Sequence, residues 1–210
     1  MSDDNVFRVN RGQRLVPPPA WRGGWEGGWH ASAQRHASPN HGARPSGAVI
    51  DLIVIHSISL PPGVFGGDEV LRLFDNTLDW NAHPYFEQIR GAEVSAHFFI
   101  RRDGRLVQCV DADARAWHAG RSFYRGRADC NNDSVGIELE GLEGGHFESQ
   151  QYATLIALCS DLAKRYPIAH VAGHEHVAPG RKADPGAGFN WSQLQAGLNW
   201  PLSRFPTAVF

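Results

Sequence analysis

The sequence predicts an α/β fold: one domain built on a central mixed β-sheet with α-helices on its faces. Three observations carry that expectation. "AVIDLIVIHS" (48–57) is an unbroken apolar, β-branched run, as a strand buried on both faces requires. "AHFFIRRDGRLVQCV" (96–110) places Asp103-Gly104 between two apolar segments, which reads as an antiparallel hairpin with a two-residue type I′ turn. "SQQYATLIALCSDLAKRYP" (149–167) repeats apolar residues at helical spacing, with Tyr152, Leu155, Ile156, Cys159, Leu162, Ala163 and Tyr166 on one face.

The elements follow in order. Residues 1–27 stand apart: "LVPPPAWRGGWEGGW" sets Trp at every fourth position, but each intervening Gly disfavours a helix by about 1 kcal/mol. An irregular N-terminal extension is expected there, with the single domain over 28–210 and Trp21, Trp25 and Trp29 docked on it rather than stacking on sugar. The buried strand ends at His56. "PPGVFGGD" (61–68) is loop, and "DEVLRLFDN" (68–76) a short helix with Asp68 at its N-cap. Residues 77–95 form a long irregular connection to the hairpin. "DSVGIELEG" (133–141) is a strand with Val135, Ile137 and Leu139 on one face and Glu138 and Glu140 on the other. The long helix starts with Ser149 as its cap and stops at Pro167. "IAHVAGH" (168–174) then delivers His174 to a strand end, and "NWSQLQAGL" (190–198) is a last helix.

Composition narrows the function classes. The chain has 210 residues, 42 % hydrophobic and 20 % charged, with a net charge of −2, so no general nucleic-acid footprint is present. "AVIDLIVI" (48–55) is too short to span a bilayer, and "MSDDNVFRVN" lacks the apolar core of a secretory signal. Cys109, Cys130 and Cys159 show no paired spacing and read as free thiols. A cytoplasmic monomer without membrane or nucleic-acid partners is the expectation.

The chemistry-bearing segment is "AGHEHVAPGRKADPG" (172–186). A catalytic zinc needs three N, O or S ligands and an open position. His56 and His174 at strand ends, with Asp184 ten residues past His174, form one such set. Spacing alone does not single it out among eleven histidines. His176 is a rival ligand, although Ala178-Pro179-Gly180 ends the strand before an HxH pair gains support. Lys182 reads equally as a solvated loop lysine, and Glu138 and Glu140 as the wet face of a strand.

Five motifs in order sharpen this reading: "VIHSISLPPGVFGG" (54–67), "SAHFFIRRDG" (95–104), "RAWHAG" (115–120), "SVGIELEG" (134–141) and "GHEHVAPGRKADPG" (173–186). Together, over about residues 28–195, they resemble the AmpD-type anhydro-N-acetylmuramyl-L-alanine amidases. That group also takes in phage lysozyme-type amidases and animal peptidoglycan recognition proteins. The resemblance implies the zinc amidase fold and one Zn²⁺ held by His56, His174 and Asp184. It implies Glu138 as general base and Lys182 as stabiliser of the transition state. Aspartate at 184 is similar to the recycling amidases; the phage and animal relatives usually carry cysteine. The family often reads "VHN" where this chain has "IHS", which leaves any substrate contact by Ser57 open. The implied substrate is a muropeptide, cut at the amide between the muramic lactyl group and L-alanine. Trp117 and His118 fall in a segment that resembles substrate-lining loops, and Arg101, Arg102 or Arg127 would meet peptide carboxylates. The alternatives are an exported or phage-type amidase acting on intact peptidoglycan, and a non-catalytic peptidoglycan-binding module.

Overall fold

The computed structural model describes residues 21–207. In chain order the elements are β1 (Trp25–Glu26), β2 (Trp29–His30), β3 (Gln34–Arg35), β4 (His41–Gly42), β5 (Leu52–Ile58), α1 (Glu69–Phe74), α2 (Pro84–Glu87), β6 (Phe98–Ile100), β7 (Leu106–Gln108), β8 (Arg115–Ala116), β9 (Phe123–Tyr124), β10 (Arg127–Ala128), β11 (Ser134–Glu140), α3 (Ser149–Arg165), β12 (His170–Gly173), α4 (His174–Val177) and α5 (Trp191–Leu198).

Six strands form the central sheet in the order β12-β5-β11-β6-β7-β3. Strands β12, β5, β11 and β6 are parallel, while β7 returns antiparallel to β6, so the sheet is mixed as predicted. Leu52, Ile53, Val54 and Ile55 are all fully buried, because the centre of the sheet is covered on both faces. Each such side chain contributes roughly 1.5–3 kcal/mol on leaving water. Helices α3 and α5 cover one face, where Leu155, Leu158 and Leu194 meet Ile53, Ile55, Val135, Ile137 and Leu139. On the other face α1 packs on Phe99 and Val107, and a smaller cluster gathers Leu52, Val54, Ala119 and Ala172. The alternation read for residues 133–141 therefore holds: the odd-numbered apolar residues face α3, and Glu138 and Glu140 the opposite layer.

Several local expectations are corrected. The hairpin at 96–110 forms, but its turn is longer than two residues. Arg101 N–H donates to the Arg105 carbonyl at 3.0 Å, and Gly104 N–H to the Arg101 carbonyl at 2.9 Å. Gly104, at φ +83°, then supplies the left-handed residue that closes a three-residue loop. A Cβ on Gly104 would also stand 2.9 Å from the Gln150 carbonyl, so close packing against α3 selects glycine there. Asp68 sits at the N-cap of α1 without capping it; its carboxylate pairs instead with Arg101 at 2.5 Å. Helix α3 begins one residue earlier than Ser149 implies. Glu148 is its N-cap, and its N–H donates to Gln151 Oε1 at 3.0 Å.

The expected N-terminal extension falls partly outside the described residues. What is described of it is more ordered than the glycine content suggests. Trp25 and Glu26 pair with His30 and Trp29 across the Gly27-Gly28 turn, where Gly27 has φ +58°. Trp21 donates its indole N–H to Asp161 at 3.0 Å, and Trp25 packs edge-on to His30, Phe98 and Tyr166. Both tryptophans are docked on the α3 face rather than free to stack on a ligand.

Candidate metal centre and active site

Parallel pairing sets the site. In the β5–β11 register His56 lies opposite Glu138, so both side chains leave the same face near the carboxyl ends of their strands, where open α/β sheets place ligands. Strand β12 stops at Gly173, one residue short of the expectation, and His174 opens α4. A Cβ at Gly173 would come within 2.8 Å of Pro185, so glycine lets the 178–186 loop close over the strand end. Glu175 N–H donates to the Asp184 carbonyl at 2.9 Å, which returns Asp184 to the start of α4.

Three ligand atoms converge as a result. His56 Nδ1 is 3.0 Å from His174 Nδ1 and 3.2 Å from Asp184 Oδ2, and His174 Nδ1 is 3.1 Å from that same oxygen. The opposite ring nitrogens are occupied: His174 Nε2 lies 3.2 Å from the Ala119 carbonyl and His56 Nε2 3.0 Å from His118 Nδ1. A carbonyl only accepts, so His174 carries its proton on Nε2 and turns a lone pair toward the cluster. Burial pushes His56 down to about 4, against the opposing pull of the adjacent Asp184 carboxylate. Burial alone would raise the Asp184 carboxyl, but its close contacts with the His174 and His56 rings outweigh it and hold it well below the usual carboxylate range. Unprotonated ring nitrogens and an ionised carboxylate are the donor state a metal requires. Zinc bonds of about 2.0–2.1 Å at tetrahedral angles would separate such atoms by about 3.3 Å, so the cluster fits the ion.

Glu138 stands beside the cluster, buried, with Oε2 lacking any hydrogen-bond partner. Burial, then the Asp184 charge, raise its carboxyl well above the ordinary value, and Lys182 opposes them. Lys182 is exposed on the returning loop, where its charge bears on both Glu138 and His56. Glu140, two residues along β11, accepts from Gly66 N–H at 2.5 Å and Arg102 N–H at 2.9 Å. It pins the 61–67 loop beside the strand end.

The remaining sequence-predicted residues divide. Trp117 is half-buried, and its backbone exchanges hydrogen bonds with Ser95. His118 is buried behind His56, its Nδ1 3.0 Å from His56 Nε2. Arg101 is buried against Asp68 and the Gly67 carbonyl. Arg127 does not reach the cluster: it makes a bidentate pair with Asp51 and a further one with Asp133, at the amino ends of β5 and β11. Each of these arginines answers to a carboxylate that only the fold brings near. His176 turns away, accepting from Gly173 N–H at 3.0 Å and packing edge-on to Trp191.

Two further arginines carry no signal in the sequence. Arg181 donates to the Ala119 carbonyl at 2.6 Å, the acceptor that also holds His174. Arg44 donates to the carbonyls of Ala112, Asp113, Asn131, Asn132 and Ser134 at 2.9–3.2 Å. Neither residue sits in a recognisable pattern, because all these acceptors are backbone atoms far away in the chain.

Comparison with known proteins finds relatives over most of the chain. The 1,6-anhydro-N-acetylmuramyl-L-alanine amidase AmpD of Citrobacter freundii is 49 % identical over 168 residues, covering 79 % of this chain and 90 % of that protein. The Escherichia coli (strain K12) protein of the same name is 47 % identical over 165 residues, covering 78 % and 90 %. A crystal structure of a selenomethionine AmpD derivative superposes with a TM-score of 0.81 at 49 % identity, covering 82 % of this chain and 98 % of that one. The Escherichia coli amidase AmiD, solved in complex with the substrate anhydro-N-acetylmuramic acid-L-Ala-D-gamma-Glu-L-Lys, is 30 % identical with a TM-score of 0.52, covering 74 % and 61 %. Residues 46–187, which span the whole cluster from His56 to Asp184, match the profile described as N-acetylmuramoyl-L-alanine amidase, and the chain belongs to that family.

Proposed function

We propose that this chain is a zinc amidase of peptidoglycan recycling. It hydrolyses the amide between the lactyl group of 1,6-anhydro-N-acetylmuramic acid and the L-alanine of a muropeptide. The observation that carries this reading is the convergence of His56 Nδ1, His174 Nδ1 and Asp184 Oδ2 within hydrogen-bonding distances, beside Glu138, whose buried Oε2 has no hydrogen-bond partner. The AmpD relatives bear the name of this activity, and AmiD was solved with an anhydro-muropeptide bound. One Zn²⁺ per chain, a cytoplasmic address, a monomeric state and a small-molecule substrate complete the proposal.

His56, His174 and Asp184 would hold the ion, which supplies a Lewis acid that acidifies water and polarises a carbonyl oxygen. Glu138 then does the proton work. Its buried Oε2 has no competing donor, and its raised affinity for a proton suits a base that takes one from the attacking water. The same oxygen returns that proton to the departing alanine nitrogen. The Lys182 ammonium stabilises the negative charge that builds on the carbonyl oxygen during attack. Trp117 lines the approach from the 115–120 segment.

The purified chain should contain one zinc and release peptide from soluble anhydro-muropeptide, with activity lost to a chelator and restored by zinc. Glu138→Ala should keep the metal while turnover falls by at least 10²-fold. Full activity in verified metal-free protein overturns the zinc reading, and unaltered turnover in the Glu138 variant overturns its role. Digestion of intact sacculi in parallel separates recycling from wall lysis; sacculi cut as fast as the soluble substrate would refute the recycling assignment.

A further inference from the structure

We propose that His118 is a positioning residue for the metal ligand His56. Its Nδ1 accepts the Nε2–H of His56, and that bond fixes the tautomer in which His56 Nδ1 presents a lone pair to the ion. The proposal rests on the reading of His56, His174 and Asp184 as the metal site.

The direction of the hydrogen bonds follows from their far end. Ser134 Oγ lies 2.5 Å from the Cys130 carbonyl, an atom that only accepts, so the serine hydroxyl proton is committed there. Ser134 Oγ therefore serves as acceptor toward His118 Nε2, 3.2 Å away, and that nitrogen carries a proton. His118 is buried, and among the described residues no carboxylate contacts it, so the ring is neutral and its Nδ1 is bare. That bare nitrogen is 3.0 Å from His56 Nε2, which must then be the donor. The remaining nitrogen of His56, Nδ1, is left unprotonated toward His174 and Asp184. The relay thus runs from the ligand through two side chains into a backbone carbonyl, and every proton in it has one place to be.

The surroundings are shaped for this arrangement. A Cβ on Gly136 would stand 2.4 Å from His118 Cγ, so the glycine in the middle of β11 leaves room for the ring. Asn131 Oδ1 accepts from both His118 N–H at 3.2 Å and Ala119 N–H at 2.8 Å, which fixes the backbone beneath the ring. Ligand imidazoles usually donate their second N–H to a carboxylate, a carbonyl or water. Here a neutral imidazole takes that place, so His56 is oriented without adding a negative charge that would offset the ion's.

The test measures zinc affinity of the full-length chain by competition with a chelating dye, together with the thermal midpoint of the metal-free protein. His118→Leu keeps an apolar filling but removes the acceptor, and it should weaken zinc binding by about 10–100-fold. His118→Asn keeps an acceptor near Nδ1 and should recover most of that loss, while the metal-free midpoints of the two variants stay alike. Ser134→Ala, which removes the end of the relay, should shift affinity in the same direction. Parent-like affinity in His118→Leu overturns the proposal, and so does an Asn variant as weak as the Leu variant, since that pattern is packing alone. A parent chain that takes up no zinc overturns the metal site itself and this proposal with it.

Discussion

Replacing Arg44 by methionine should destabilise the fold by about 3 kcal/mol, although the residue touches neither metal ligand nor Glu138. Its guanidinium is half-buried and donates to five backbone carbonyls, those of Ala112, Asp113, Asn131, Asn132 and Ser134. Burial pushes the group down to about 10, so it remains a cation at neutral pH. A hydrogen bond to a charged donor contributes roughly 1.5–3 kcal/mol on its own. These five share one donor group and its outer edge reaches water, so they do not add. Breaking a fully buried charged network costs roughly 3–5 kcal/mol, and partial exposure puts Arg44 at the low end. For a chain of this size that lowers the thermal midpoint by about 6–12 °C. Arg44→Lys should recover little, because three donors on one nitrogen cannot span carbonyls arranged around a planar fork. Denaturant unfolding of the parent and both variants gives the comparison. A loss below about 1 kcal/mol in Arg44→Met, or parent-like stability in Arg44→Lys, would refute the argument that this guanidinium clasps the 112–114 and 131–134 segments.

Two further outcomes follow from the same region. Gly136→Ala puts a methyl group 2.4 Å from the His118 ring, so one of them must move; overpacking of about 1–3 kcal/mol is expected, together with weaker zinc uptake. Zinc affinity equal to the parent would show that the ring can shift without consequence. Acid should destabilise the fold through His97, which burial, and then the Arg44 charge, push down to about 3. Its Nδ1 accepts from Gly136 N–H at 2.9 Å and its Nε2 faces the Ala114 carbonyl at 3.1 Å, so the folded state has no place for a second proton. The unfolded chain binds that proton near pH 6.5, so this contribution is complete above pH 6.5 and is lost as pH falls toward 3. At pH 5 the loss amounts to about 2 kcal/mol. His97→Gln should reduce the stability difference between pH 7 and pH 5 by about that amount, measured by denaturant unfolding; an unchanged difference would count against His97 as its source.

The large elements were legible because their cause is local. The 48–57 run, the alternation at 133–141 and the apolar stripe of 149–165 each state which surface must leave water, and the sheet and α3 follow. Turn and cap chemistry was legible only in part. Asp68 has the composition of a cap, but a guanidinium 33 residues away takes its carboxylate. Asp103-Gly104 marks a turn, but contact with α3 helps set the loop around Gly104.

The candidate metal trio shows the same division. By itself the sequence determined the fold class, the strand that carries His56, the strand that carries Glu138 and a turn-rich segment holding His174, Lys182 and Asp184. The family motifs then ranked these residues among eleven histidines and many carboxylates. Only the tertiary structure decided that three lone pairs meet within 3.2 Å, that His118 lies behind the ligand, and that Arg127 belongs to the far end of the sheet. The physical reason is range. Burial pattern and turn preference act over a few neighbouring residues and leave a periodic trace. Hydrogen bonds, ion pairs and ligand convergence join atoms a hundred residues apart, and no spacing along the chain records them.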